Sequence, residues 1–189
     1  MADHQDRRFE RTGSRTVYDG SFISLSVDRF RFADGEEVQR AIVHHPGAVG
    51  VVCCSDEHVV LVRQPREAVG DPDSLELPAG KLEEGEDVVA SARRELAEEV
   101  GLAAERWEHL SSFHSSIGVM DEEVHVYLAT GLSEASADAD PEGPQAENER
   151  IEIVRWPLDD LDGALAATHD AKTIIGLLLL RERRRASAA

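Results

Sequence analysis

Between Gly80 and Leu102 the chain reads GKLEEGEDVVASARRELAEEVGL, a stretch dense in carboxylates and bracketed by glycines. Placed on a helix from Asp87 to Gly101 at about 100° per residue, Val88, Ala92, Leu96, Val89 and Val100 gather into one apolar stripe. Glu95 and Glu99 stand four residues apart at the edge of that stripe, where an ordinary solvated charge is poorly placed. Arg94 and Glu98 form a normal i,i+4 ion pair, but Glu95 and Glu99 are a like-charge pair at the same spacing. Such a pair costs a helix about a few tenths of a kcal/mol and disfavours ionisation of one member unless a cation sits between them. A hard divalent ion such as Mg²⁺ or Mn²⁺ takes oxygen ligands and keeps several waters. It suits two carboxylates from one helix plus a carbonyl and a substrate phosphate. The competing reading is a solvated acidic face, in which basic partners offset the acids.

These side chains need a frame. In SFISLSVDRFRF, Ile23, Leu25 and Val27 alternate, then Phe30 and Phe32 resume one step out of phase, which predicts a strand with a bulge or bend near Asp28 and Arg29. Asp34-Gly35 signals a hairpin turn, after which EEVQRAIVHH returns as a partner strand. AVGVVCC and HVVLVRQ flank the polar turn SDE and read as strands of a buried sheet. Past the loop REAVGDPDS, the short apolar segment LELPAG leads into the acidic helix. Further strands are expected around EHLSSFHSS, EVHVYLATG and IEIVRW, followed by a helical tail from about Leu158 with a break near Thr168 to Asp170. Between the last two strands, SEASADADPEGPQAENE reads as a long acidic loop.

At 189 residues, with 41% hydrophobic and 31% charged residues, the chain has the size and composition of one globular domain with at most a small appendage. A net charge of -18 argues against a nucleic-acid backbone or an anionic membrane surface as partner, because the field repels both. An anionic substrate would need cations as mediators. No secretory signal is evident in MADHQDRRFERTG, and TIIGLLLL is too short to span a bilayer, so the expected location is the cytoplasm. Cys53 and Cys54 are neighbours on a strand and face opposite sides, which predicts free core thiols rather than a disulfide or a zinc site. His44 and His45 diverge in the same way and make a poor metal pair.

The fixed residues of the acidic stretch run Gly80, five residues, Glu86, seven residues, Arg94-Glu95-Leu96, one residue, Glu98-Glu99, one residue, Gly101-Leu102. This pattern resembles, without a mismatch, the Nudix box of the Nudix hydrolases. Outside the box, YDGSFISLSVDRF, VHHPGAVGVV, VRQPRE, LELPAGKLEEGE, ENERIEIV and DAKTIIGLLLL resemble the ADP-ribose pyrophosphatase branch of that family, from about Val17 to Leu180. The resemblance implies an α/β fold: a Nudix α/β/α sandwich with a mixed sheet, plus an N-terminal antiparallel β subdomain. It implies a tail over residues 1–14, a dimer-forming β subdomain over 15–45 and a Nudix domain over 46–186. The implied activity is Mg²⁺-dependent hydrolysis of the diphosphate of a nucleotide sugar, ADP-ribose first, with Mn²⁺ as a possible substitute. The implied assembly is a homodimer through the N-terminal strands.

Carried over residue by residue, the resemblance makes Glu95 and Glu99 the principal metal ligands, Glu98 a further ligand and the Ala79 carbonyl another. Glu147, in ENE, is the candidate base and Glu149 a candidate ligand, both on a loop whose closure would exclude solvent. Glu98 and Arg94 join Glu147 as catalytic candidates. Gly80, Glu86 and Gly101 are structural, with Glu86 and Arg94 bracing loop and helix. Arg40 and Arg66 match arginines that contact phosphates or the terminal ribose, Phe22 an aromatic near the base, and Glu122 a glutamate that reaches the ribose.

One departure concerns specificity. The branch carries Ser-Pro-Gly past the box, whereas here HSSIGVMDEE places Ile117 at the proline position. That leaves GDP-mannose or another nucleotide sugar as an alternative substrate. A Nudix-like module that senses a nucleotide sugar without cleaving it is the alternative from another class, although such modules are expected to lose box glutamates. An RNA pyrophosphohydrolase is disfavoured by the charge and by the lack of a basic stripe other than RERRR.

Overall fold

The computed structural model describes residues 8–135 and 150–188, and the chain divides into two compact units. The first holds the described residues up to Gly47 together with His114–Glu123. Its core element is a three-stranded antiparallel sheet of β1 (Phe9–Asp19), β2 (Ser24–Phe32) and β3 (Glu37–His44), with β2 in the middle. The β2 to β3 hairpin closes at Gly35, whose φ of 92° requires a residue without a side chain. Strand β1 begins at Phe9, inside the stretch expected as a tail, because Phe9 already pairs with Phe32.

The bulge expected near Asp28 is not there. Strands β2 and β3 pair in unbroken register from Ser24↔His44 to Arg31↔Glu37, and the irregularities lie in β1, between Arg11 and Gly13 and between Thr16 and Tyr18. The change of hydrophobic phase has a different cause: Ser26 and Asp28 are buried polar residues on the face that also carries Phe30 and Phe32. The Asp28 carboxylate accepts from Ser14 Oγ at 2.6 Å, Ser26 Oγ at 2.8 Å and Arg11 Nη1 at 3.2 Å. The two hydroxyls, helped by Arg11, hold its pKa below the ordinary aspartate value against desolvation.

The second unit is built on a mixed seven-stranded sheet. Its path runs β10 (Glu152–Pro157), β5 (His58–Arg66), β4 (Ala48–Cys54), β9 (Glu123–Glu134) and β8 (Leu102–His114). The short strands β6 (Asp71–Glu76) and β7 (Ala79–Lys81) pair with β5 and β4. Strand β4 is parallel to β9 and antiparallel to β5.

The continuous apolar runs of β4 and β5 are buried on both faces. Val49, Val51, Cys53, Val60 and Val62 pack on Ala92, Leu96 and Val100 of helix α1 (Val88–Val100). Val52, Cys54, Val59 and Leu61 pack on Leu161 and Ala164 of α2 (Leu161–Ala167) and on Leu177 and Leu180 of α3 (Ala171–Ala188). Each fully buried Val or Leu contributes about 1.5–3 kcal/mol through water exclusion. The result is an α/β/α sandwich, with both cysteines free, buried and on opposite faces.

The break between α2 and α3 falls at Thr168, as expected, and it fastens β6. Thr168 Oγ1 donates to the Leu75 carbonyl at 2.7 Å, and Leu77 N–H donates to Thr173 Oγ1 at 2.8 Å. Asp170 caps α3 by accepting from Thr173 N at 2.9 Å and Thr173 Oγ1 at 2.6 Å.

Candidate active site

Helix α1 starts and stops where its sequence says it should. Asp87 Oδ1 accepts from Val89 N at 3.0 Å and Ala90 N at 3.1 Å, a side-chain N-cap, and Gly101 ends the helix in the left-handed region at φ 68°. Leu96, Ala92 and Val100 face the sheet, and Glu95 goes down with them at 4% exposure.

That burial depends on Gly80. A Cβ at Gly80 would stand 1.9 Å from Glu95 Cδ and 2.0 and 2.2 Å from its two oxygens. Gly80 is therefore the floor of a cradle into which the Glu95 carboxylate fits, and its φ is not among the positive ones, so space rather than backbone conformation fixes the residue type. One residue away, Ala79 N–H donates to Glu99 Oε2 at 2.8 Å. Strand β7 is held in place by pairing Val49↔Gly80 and Gly50↔Ala79 with β4.

Arg94 organises the remainder. Its Nη1 donates to Glu95 Oε1 at 2.7 Å and Glu98 Oε2 at 3.0 Å, while Nε and Nη2 donate to Glu86 at 3.3 and 3.1 Å and Nη2 to the Lys81 carbonyl at 3.2 Å. Ser91 Oγ donates to Glu86 as well. Desolvation pulls the guanidinium down, but the bonds and charges of Glu86 and Glu95 outweigh it and leave Arg94 above its ordinary pKa. Desolvation likewise pushes Glu86 up, and Arg94 and Ser91 more than reverse it. One arginine thus ties the loop at residues 81–86 to the carboxylates of the helix.

The chemistry of the residues suits a hard divalent cation: Glu95 and Glu99 bring carboxylate oxygens to neighbouring residues of β7, at Gly80 and Ala79. Among the described residues no group of three His, Cys, Asp or Glu side chains is placed to hold a metal ion. A Mg²⁺-type ion, bound through one or two carboxylates with several waters retained, does not need such a group.

Arg66 lies in the same unit and is held by Glu76, which accepts from its Nε at 2.6 Å and Nη2 at 2.7 Å, and from Lys172 Nζ at 2.6 Å. The hydrogen bond to Glu76 raises the Arg66 pKa against desolvation, with further contributions from the charges of Glu76, Glu99 and Asp170. Burial pushes the Glu76 carboxyl up, but the two cations reverse this and bring it to about 2 from 4.5. Because its folded value is the lower one, Glu76 contributes its stability above pH 4.5 and loses it as the pH falls toward 2. The shift corresponds to about 3 kcal/mol. In acid titrations followed by chemical unfolding, Glu76→Gln should show a shallower fall of stability across that window than the wild type. Equal slopes would remove Glu76 from the account.

Neither Glu76 nor Lys172 was singled out by sequence reasoning, although both stand in the motifs LELPAG and DAKT. The remaining expected residues belong to the first unit. Arg40 is exposed on β3 and donates from Nη1 to the Gln39 carbonyl at 2.9 Å. Phe22 is half-exposed and meets the His45 ring edge-on at 5.9 Å, while Glu122 Oε1 lies 3.3 Å from His45 Nδ1. His45 thus joins two expected substrate-binding residues, and the sequence marked it only as part of VHHPGAVGVV and as a poor metal partner of His44. Ile117 is 84% exposed in the turn that Val119 N and Met120 N close on the Ser116 carbonyl. Glu147 and Glu149 lie outside the described residues.

With the box geometry defined, comparison with known proteins gives the class. The NUDIX domain family model matches residues 44–177, and the chain belongs to the Nudix family. It is an ADP-ribose pyrophosphatase-like Nudix hydrolase by its similarity to relatives. It is 35% identical over 170 residues to the ADP-ribose pyrophosphatase of Bacillus subtilis (strain 168), covering 87% of this chain and 88% of that protein. It is 39% identical over 155 residues to the ADP-ribose pyrophosphatase of Mycobacterium tuberculosis, covering 81% and 70%. It is also 36% identical over 168 residues to the methanol dehydrogenase activator of Bacillus methanolicus, covering 87% and 88%. The crystal structure of an ADP compounds hydrolase shares the fold at a TM-score of 0.80 and 22% identity, over 98% of each chain.

Proposed function

We propose that the protein hydrolyses the diphosphate of a nucleoside diphosphate sugar, with ADP-ribose as first substrate and AMP and ribose 5-phosphate as products. The observation that carries this reading is the Glu95 carboxylate seated on Gly80, beside Glu99 and fixed by Arg94. Mg²⁺ is the proposed cofactor and Mn²⁺ its substitute. Held by Glu95, Glu99 and the Ala79 carbonyl, with Glu98 and Glu149 as further ligands, the cation would offset charge on the phosphoryl oxygens and acidify the attacking water. The water oxygen bonds to one phosphorus, the bridging oxygen leaves with the other, and both products are phosphomonoesters. Glu147 is the proposed base that takes the proton, and Arg94 keeps Glu95 and Glu98 oriented. Arg66 and Arg40 bind phosphate or ribose, Glu122 the terminal ribose and Phe22 the base.

The proposed assembly is a homodimer through residues 15–45 ahead of a hydrolase domain over 46–186. Support comes from β1, an edge strand carrying exposed Phe9, Val17 and Tyr18. No helix of the described residues is long and apolar enough to cross a membrane, and the cytoplasm is the proposed location.

Chromatographic product analysis tests the reading. Purified protein with Mg²⁺ is offered ADP-ribose, GDP-mannose, ADP-glucose and NADH in parallel. ADP-ribose should give AMP and ribose 5-phosphate fastest. Preference for GDP-mannose would make Ile117 a mark of altered specificity, and binding without cleavage of any of the four would reverse the catalytic reading.

A further inference from the structure

Glu76 is 2% exposed and carries two cations. Arg66 alone would satisfy it, since the guanidinium meets both oxygens in a bidentate fork at 2.6 and 2.7 Å. Lys172 adds a second positive charge at 2.6 Å, and its other carboxylate neighbour, Asp170 at 3.1 Å, is committed to capping α3 through Thr173. The cluster has donors to spare. Arg66 uses Nε and Nη2 on Glu76, which leaves Nη1, and an ammonium has three protons for two carboxylate neighbours.

The spare donors have a direction. The Arg66 side chain is 42% exposed although the carboxylate it grips is buried, so the guanidinium opens away from Glu76. The charge of the box carboxylate Glu99 also acts on Arg66. Lys172 arrives from the start of α3. Its stem passes over Gly50, where a built Cβ would lie 3.8 Å from Lys172 Cδ, and Gly50 is the strand partner of Ala79. The fastening of β6 on both sides of Glu76, at Leu75 and Leu77, holds the carboxylate and with it both cations.

We propose that Lys172 is a substrate-binding residue that grips the diphosphate together with Arg66, and that Glu76 is the positioning residue that sets the two cations side by side. The inference rests on the nucleotide-sugar reading above and deepens it. Two cations fixed by one buried anion are preorganised for a ligand with two adjacent phosphates, because neither long side chain has to be immobilised on binding.

Lys172→Met, Lys172→Gln and Glu76→Gln test it. The readouts are KM and kcat for ADP-ribose with Mg²⁺, calorimetric binding of ADP and of AMP with Ca²⁺, and the thermal midpoint without ligand. Lys172→Met should raise KM and weaken ADP binding by at least about tenfold, the effect of losing one charge-assisted hydrogen bond. Binding of AMP, with one phosphate, should weaken less, and kcat should fall less than KM rises. Lys172→Gln keeps a donor for Glu76 without the charge, so it should reproduce the KM effect even if the methionine variant folds poorly. Glu76→Gln should shift KM in the same direction, with no further loss in the double variant. Unchanged KM and ADP affinity in folded Lys172→Gln would overturn the inference while leaving the hydrolase reading intact. A wild-type protein that neither cleaves any of the four compounds nor binds ADP would overturn both.

Discussion

Glu99→Gln is expected to lower kcat by about a thousandfold or more, the scale set by losing several kcal/mol of charge stabilisation in the transition state. The fold should survive the change, because the amide oxygen of Gln can still accept from Ala79 N–H, the bond seen at 2.8 Å. Without metal the variant should be as stable as the wild type or slightly more so, since it relieves the Glu95 and Glu99 repulsion. The diagnostic measurement pairs kcat with thermal midpoints at zero and saturating Mg²⁺. A cation that binds only the folded state stabilises the wild type by mass action, and the variant should lose most of that gain. A Gln variant that keeps its rate within tenfold and still responds to Mg²⁺ would remove Glu99 from the ligand set.

Gly80→Ala should be the second severe change, and for a steric reason. The added methyl would stand 1.9 to 2.2 Å from the carboxylate atoms of Glu95, and β7 is pinned by its pairing with β4, so the carboxylate is what must move. Overpacking of this kind costs about 1–3 kcal/mol, and the low end applies because the displaced atoms end a flexible side chain. Activity should suffer more, by about a hundredfold, because displacements near 1 Å at a reacting centre cost that much. Thermal melts beside steady-state kinetics separate the two effects. A loss of stability matched by an equal loss of folded, active protein would make Gly80 merely structural.

The box helix was legible because its signals are local. An apolar stripe and the bracketing glycines mark the helix without help from the remainder of the chain, and the structure adds the Asp87 cap. The two-faced burial of AVGVVCC and HVVLVRQ was equally plain, since an unbroken apolar run has no polar side to show to water. Strand β2 misled for the opposite reason: Ser26 and Asp28 look like an exposed face, and only their hydrogen-bond partners on β1 and β3 make their burial affordable. The seat of Glu95 on Gly80 was half legible, as both residues were marked but their contact spans the loop between them. The Glu76, Arg66 and Lys172 cluster was illegible, since nothing local connects positions 76 and 172.

That separation has a consequence for how the protein comes into being. Loop-closure entropy grows only slowly with length, so joining Leu75, Glu76 and Leu77 to Thr168, Lys172 and Thr173 costs the finished fold little. It does impose an order in time. Contacts this distant in sequence form late, and a chain emerging from the ribosome presents the whole acidic helix well before the residues that fasten β6. A nascent chain stalled before Thr168 has every box glutamate and the Arg66 to Glu76 pair of β5 and β6, but neither Lys172 nor the α3 fastening of β6. The Arg66, Glu76 and Lys172 cluster is therefore complete only once the last helix has been made.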